Sequence, residues 1–197
     1  MKRGVAAITV VLIGIAFCSS TSFAAGFRLP EQDTAAMSMA SAFVGQADNP
    51  AAVWYNPAGM TQLDGTRVSA GTVAIYPVLT HENNTVNPGT TDVSARDVHF
   101  PFHLYATHKL NERIAFGVGV NNPFGLATDW SPTSSTAYVA TFTKVVVTEV
   151  NPNIAYTLSD RLSAAFGIAY VHLRATLEKT VNLGIGINDN FRLSGDG

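Results

Sequence analysis

The chain is poor in charge and nearly free of cysteine. Of its 197 residues only 13% are Asp, Glu, Lys or Arg, about half the ~25% of an ordinary soluble domain. A protein bathed in water needs charged surface, so the deficit points to a surface that does not face water. The formal net charge of -2 leaves no basic field to hold nucleic acid. The single cysteine, Cys18, follows Phe17, whereas a lipid-modified cysteine follows a small residue. Neither a lipid anchor nor a disulfide is expected. No GxSxG, HExxH, CxxC or phosphate-binding glycine loop occurs, and no metal, cofactor or catalytic residue is expected. Beyond the first two dozen residues no apolar run approaches the ~20 residues of a spanning helix.

What is present begins with an export signal. Lys2 and Arg3 precede the uncharged apolar run Val5 to Phe17, and Ser22-Phe23-Ala24 offers small residues where a signal peptidase reads, so cleavage after Ala24 is expected. The rival reading, a membrane anchor, needs a longer run. An exported chain that is 47% hydrophobic and has no spanning helix is either a secreted β protein or a membrane β-barrel.

Residues 25–65 do not alternate. Thr34 to Phe43 reads as a short helix of small residues. Asn49-Pro50 reads as a cap followed by proline at the first helical position. Asn56-Pro57-Ala58-Gly59 repeats that signal and stops at glycine. A segment of this size is too small to bury a core alone and must pack on something else.

From Thr66 the period becomes two, as in strands. Asp97 to Thr107 alternates Val98, Phe100, Phe102, Leu104 and Ala106 with His99, Pro101, His103, Tyr105 and Thr107. Ala169 to Glu178 alternates Val171, Leu173, Ala175 and Leu177 with Tyr170, His172, Arg174, Thr176 and Glu178. Arg67 to Pro77, Arg113 to Asn121, and Ala137 to Tyr156 with an interruption at Asn151-Pro152 complete about five strands. Connections are short at 108–112 and 157–161 but long at 78–96 and 122–136, the rhythm of outer-membrane barrels. Tyr76, Tyr105, Trp130, Tyr138 and Tyr156 are candidates for interfacial girdles. A soluble β-sandwich also alternates, but fits the low charge and the loop rhythm less well. The expected fold is all-β, a transmembrane antiparallel barrel with a small helical N-terminal plug. The expected divisions are 1–24 signal peptide, 25–65 plug and 66–197 the first five strands. Five strands cannot close, and an open edge in lipid leaves backbone groups unpaired. Ser194-Gly195-Asp196-Gly197 has a loop composition, so the sequence is expected to belong to a longer chain.

Ala25-Gly26-Phe27, Ala47-Asp48 with Tyr55-Asn56-Pro57-Ala58-Gly59-Met60, Gly125-Leu126-Ala127-Thr128, and Arg174-Ala175 with Glu178 resemble the FadL/TodX family of outer-membrane hydrocarbon transporters. The resemblance implies fourteen strands in the full protein, an N-terminal hatch inside the barrel, binding of long-chain fatty acids or aromatic hydrocarbons, and sideways release through a gap in the wall. It also implies that the plug motif lies at that gap.

Candidate residues follow. Arg174, opposite Val171, Leu173 and Leu177, faces the lumen if those three face lipid, and there its guanidinium either grips a carboxylate with two hydrogen bonds or pairs with an acid such as Glu178. Asn56, Pro57, Ala58 and Gly59 form either a gate, with the small residues allowing close approach to the wall, or a plain turn. Phe27 enters an inner pocket or anchors the plug. Phe124, Leu126 and Trp130 offer apolar area for substrate capture or hold their loop to the rim. His99 and His103, four apart on one strand, stand roughly 13 Å apart, which suits hydrogen bonding in the lumen and not one metal ion. The expected function is uptake of a hydrophobic small molecule, foremost a long-chain fatty acid, by a monomeric barrel set in outer-membrane lipid. An aromatic hydrocarbon carrier is the alternative within the family. A barrel enzyme such as a membrane lipid hydrolase, or a general porin, is the alternative outside it.

Overall fold

The computed structural model describes residues 28–84, 88–184 and 188–197. The expected signal peptide and Phe27 lie outside the described residues. Asp33 opens α1 (Thr34–Ser38) by accepting the Ala36 N–H at 3.0 Å, and Asn49 Nδ2 donates to the same carboxylate oxygen at 3.2 Å. The helix expected through Phe43 stops early because Ala40 and Ser41 take φ of 49° and 66°, conformations that a right-handed helix cannot continue. A 3₁₀ turn, Ala42–Val44, follows. Asn49 Oδ1 accepts from Ala51 N at 2.7 Å at the start of α2 (Ala52–Tyr55), and a second 3₁₀ turn runs over Pro57–Gln62. The core formed here is shared with the sheet. Phe43, Val53, Met60 and Leu63 bury together with Tyr105, Ala115 and Ala155, so this segment completes its core only against the strands.

Those strands are β1 (Thr66–Thr72), β2 (Thr80–Asn83), β3 (Thr90–Val93), β4 (Phe102–Lys109), β5 (Ile114–Asn121), β6 (Ala127–Asp129), β7 (Phe142–Ser159), β8 (Leu162–Gly167), β9 (Tyr170–Asn182) and β10 (Asn188–Asp196). The main sheet is antiparallel in the order β1-β4-β5-β7-β9-β10, with β6 and β8 also paired to β7 and with β2–β3 a separate hairpin. The turn after β4 is tied by Asn111 Oδ1, which accepts from Arg113 N and Ile114 N at 2.9 Å each. The β2–β3 hairpin fills the long connection at the opposite end.

Two sequence expectations are corrected. β7 runs unbroken through Asn151-Pro152, and the interruption appears in its neighbour. Pro152 has no N–H to give. Ile168 N donates to the Pro152 carbonyl at 3.2 Å and nothing returns, so the partner strand lapses at Ile168-Ala169. β8 and β9 nevertheless keep one register against β7, with Ile154 opposite Phe166 and Val150 opposite Tyr170. Further on, Ser194 to Asp196 lie in a strand, since β10 pairs with β9 from Asn188↔Asn182 to Asp196↔Arg174. Its polar composition concealed it, and the main path has six strands, one more than the sequence reading counted.

Directly opposed residues share a face, so the register sorts inside from outside. Tyr105, Gly119 and Asn151 lie on the face covered by the helical segment, and so do Thr107, Gly117 and Asn153. Phe102 and Leu104 point the other way, as expected for β4. On the outer face Phe166 and Ile168 are 68% and 65% exposed. The sequence expectation for Ala169 to Glu178 is the opposite, with Tyr170, His172 and Arg174 facing the lumen if Val171, Leu173 and Leu177 face lipid. The structure reverses that strand and places Val171, Leu173, Ala175 and Leu177 on the inner side. Among the girdle candidates, Tyr105 is fully buried on the inner face, whereas Tyr156 stands on the outer face near the short turn.

Candidate functional site: a break in the wall beside the N-terminal segment

β5 and β6 are one strand interrupted at 122–126, and there the wall opens. Below the interruption Phe102 N donates to Asn122 Oδ1 at 3.1 Å. Above it Ala95 N donates to Asp129 O at 2.7 Å, and Asp129 N to Ser94 Oγ at 3.0 Å. Between these two seals no hydrogen bond among the described residues joins 96–101 to 123–128. Pro101 and Pro123 stand at the lower rim, and neither can donate. The other edge stays attached to β7, since Val147 N and Val145 N donate to the Phe124 and Leu126 carbonyls at 3.1 Å each. Leu126 takes φ 84°, a strained conformation for a residue with a side chain, costing on the order of 1–3 kcal/mol. The opening holds a cavity of about 140 Å³ lined by Leu29, Phe100, Phe124, Leu126, Lys144 and Val146 among others. An apolar hollow of about 260 Å³ adjoins it, lined by Pro77, Leu79, Leu126, Ala127 and Val145 among others.

The N-terminal segment closes this opening from within. Leu29 N donates to the Pro123 carbonyl at 2.8 Å. Gln32, 1% exposed, donates through Nε2 to Leu29 O at 3.1 Å and Asn122 O at 2.9 Å, and accepts from Asn121 Nδ2 at 3.3 Å. Lower down, Gly117 and Gly119 let Val53 and Met60 press against the bare backbone of β5, and Thr61 and Ser163 hydroxyls share a hydrogen bond of 3.1 Å. Arg28 lies over the Trp54 ring at 4.3 Å. Sequence reasoning missed Leu29, Gln32 and the Gly117/Gly119 pair. A glutamine three residues after an apolar one carries no pattern, although glycines spaced by two in a strand do signal close approach.

Phe124 and Leu126 are brought together at the opening, in the interruption between β5 and β6, where their carbonyls bond to β7 and they do not form a free loop. Trp130 does not line the cavity, and its backbone N–H donates to Thr141 O at 2.6 Å. The Asn56–Gly59 turn lies away from the opening, at the short-turn end, where Asn56, Ala58 and Gly59 border a separate polar basin of about 570 Å³ with Glu112, Asp160 and Arg161. Asn56 makes no side-chain cap. Its Nδ2 donates to Val44 O at 2.9 Å, and the space above Gly59 is filled by Ala47, not by the wall. The geometric basis for Arg174 also fails. It opposes Val146 on the outer face, and its Nε lies 3.2 Å from Asp196 Oδ1. Both faces of β9 carry alternating patterns, so the apolar one could not be assigned to lipid without the register. His103 stacks on Tyr105 with centroids 5.6 Å apart, and its Nδ1 has no hydrogen-bond partner among the described residues.

An antiparallel wall that is apolar outside, covered on its inner face by a short helical segment and broken beside that segment, is part of a transmembrane β-barrel of the outer membrane. Residues 15–195 match the family described as Outer membrane protein transport protein (OMPP1/FadL/TodX), and the chain belongs to it. It is 29% identical over 133 residues to an outer membrane protein of Neisseria meningitidis serogroup B, covering 64% of this chain and 28% of that one. It is 26% identical over 180 residues to the long-chain fatty acid transport protein of Escherichia coli K12, covering 87% and 39%. The crystal structure of a Pseudomonas aeruginosa FadL homologue superimposes with a TM-score of 0.66 at 19% identity, covering 88% of this chain and 47% of that one. The chain thus spans less than half the length of these relatives.

Proposed function

We propose that this protein takes up hydrophobic compounds across the outer membrane and releases them sideways through the opening between 96–101 and 123–128, with residues 25–65 acting as the plug. The observation that carries the proposal is the opening itself, an apolar gap in a wall that faces lipid, stopped from inside by Leu29 and Gln32. Long-chain fatty acids are the favoured cargo, since an apolar site withdraws the tail from water at about 0.8 kcal/mol per methylene. Such binding needs a release step, which a plug held by a few hydrogen bonds can supply by shifting. The orphaned His103 Nδ1 and Thr107 Oγ1 beneath the plug lower the cost of that shift, because both gain hydrogen bonds when the interface opens. Aromatic hydrocarbons of the same bulk fit the same route. Transport requires no chemical step, and the protein acts as a carrier, not an enzyme.

The test is oleate and toluene uptake by cells that lack their own carriers and make this protein. A β-carbon at Gly125 meets only Leu29 and the Val145 carbonyl, each at 3.7 Å, so Gly125→Phe is expected to fill the opening, leave membrane insertion intact and abolish uptake. Uptake of neither compound by the unaltered protein, correctly inserted, would remove the transport reading.

A further inference from the structure

We infer that Lys144 is a positioning residue for the anionic headgroup of a departing hydrophobe, held at the outer rim of the wall opening. The inference rests on the release route proposed above and names what that route selects. Lys144 is exposed on the outer face of β7, opposed by Ala127 on β6 and Thr176 on β9. It lines the same cavity as Phe100, Phe124 and Val146, and it is the only Lys, Arg, Asp or Glu among that cavity's described lining residues. The neighbouring cations on this face are engaged. Arg174 Nε lies 3.2 Å from Asp196, and Arg192 Nε lies 3.4 Å from Glu178. Lys144 takes part in none of the ion pairs among the described residues.

Its height suits a headgroup. Lys144 and the outward Tyr156 are twelve residues apart on one uninterrupted strand. At ~3.3 Å per residue and a barrel tilt near 40°, that is about 30 Å along the membrane normal, just above an apolar band ~25 Å tall. With Tyr156 at the lower boundary, Lys144 reaches the headgroup level of the outer leaflet, while Phe100 and Val146 border hydrocarbon below. A fatty acid passing tail-first through the opening keeps its carboxylate in this polar layer, because burying the charge is costly. An ammonium there makes a charge-assisted hydrogen bond to it. A neutral hydrocarbon or alcohol gains no comparable contact.

The experiment compares uptake of oleate with that of oleyl alcohol, which has the same chain without the charge. Unaltered protein is set beside Lys144→Met, Lys144→Arg and Lys144→Glu at matched outer-membrane levels. Lys144→Met is expected to lower oleate uptake roughly three- to tenfold, a range reduced for partial exposure, and to lower oleyl alcohol uptake far less, so that the ratio of oleate to alcohol uptake falls. Lys144→Arg should retain oleate uptake and Lys144→Glu should lower it further. If Lys144→Met fails to reach the outer membrane, Lys144→Gln is read in its place. Unchanged oleate uptake in the neutral variant overturns the inference. Equal loss of both compounds also does, since the lysine would then merely anchor the barrel in the leaflet. Uptake of neither compound by the unaltered protein defeats the transport reading, and this inference with it.

Discussion

Met60 of the plug rests on the bare α-carbon of Gly117 in β5, and a methyl group there would overlap its sulfur and approach Val53 Cγ2 to 2.6 Å. Plug and wall meet here as backbone against side chain, with no spare volume. Gly117→Val is therefore expected to lower stability by about 1–3 kcal/mol, the usual cost of overpacking, and to displace the plug. Thermal melting in detergent checks the first effect, and ion conductance in planar bilayers the second. Met60→Ala in the Gly117→Val background should recover part of the loss, since the two residues are in contact and their effects are not additive. Equal losses with and without Met60→Ala would show that this contact is not the cause.

Gln32 ties the plug to the wall opening through two buried hydrogen bonds, to Asn122 O and from Asn121 Nδ2, and makes a third to Leu29 O within the plug. Gln32→Leu keeps the approximate volume but leaves the Asn122 carbonyl and the Asn121 amide without their partner, at about 1–3 kcal/mol. Faster hydrogen exchange at the Leu29 N–H, which donates to Pro123 O at 2.8 Å, is the expected readout. Exchange unchanged from that of the unaltered protein would mean that the apolar contacts of Leu29 alone hold the plug here.

Asp92 on β3 joins the two long connections. Its Oδ2 accepts from Ser135 Oγ and from Ser135 N, the latter at 2.9 Å. These bonds, the hydroxyl's first and the backbone amide's second, hold its carboxyl below the usual carboxylate range. The carboxylate is the bonded form. The tie is therefore fully present above the ordinary carboxylate range and is lost as pH falls through the depressed folded value. Proteolytic cutting within 131–139 should rise in acid relative to neutral pH. Asp92→Asn should raise cutting at neutral pH and flatten the pH dependence. A variant that keeps the original profile would assign the acid response to another group.

The legible parts of this protein were those governed by local period and turn chemistry. The inward side of His103 on β4 is legible, because alternation there is clean and the apolar residues cluster on one face; Tyr105 on the same face is not, since a tyrosine near a strand end also fits an interfacial girdle. The turn at Asn49 follows from a side chain that bonds its own backbone two residues on, although the helix begins later than the motif suggests, at Ala52 with Ala51 as its cap. β9 was inverted because both of its faces carry a plausible pattern. Leu173 and Leu177 turn inward, while Arg174 reaches the outer face, where it pairs with Asp196. Asn56–Gly59 was recognisable as a turn, but its distance from the wall opening was not, since a motif carries no information about which strand it will meet.

The sequence by itself determined that this chain alternates as strands, avoids charge and carries a compact small-residue segment ahead of them. These traits follow from the solvent each residue must face and from bonds made within a few positions. Only the tertiary structure decided which side of β9 is inside, that Pro152 interrupts the strand beside it and not its own, and that Leu29, Gln32 and Lys144 surround one gap in the wall. Those outcomes depend on the register between strands distant in sequence. A shift of one residue reverses every side chain, and no local pattern fixes it.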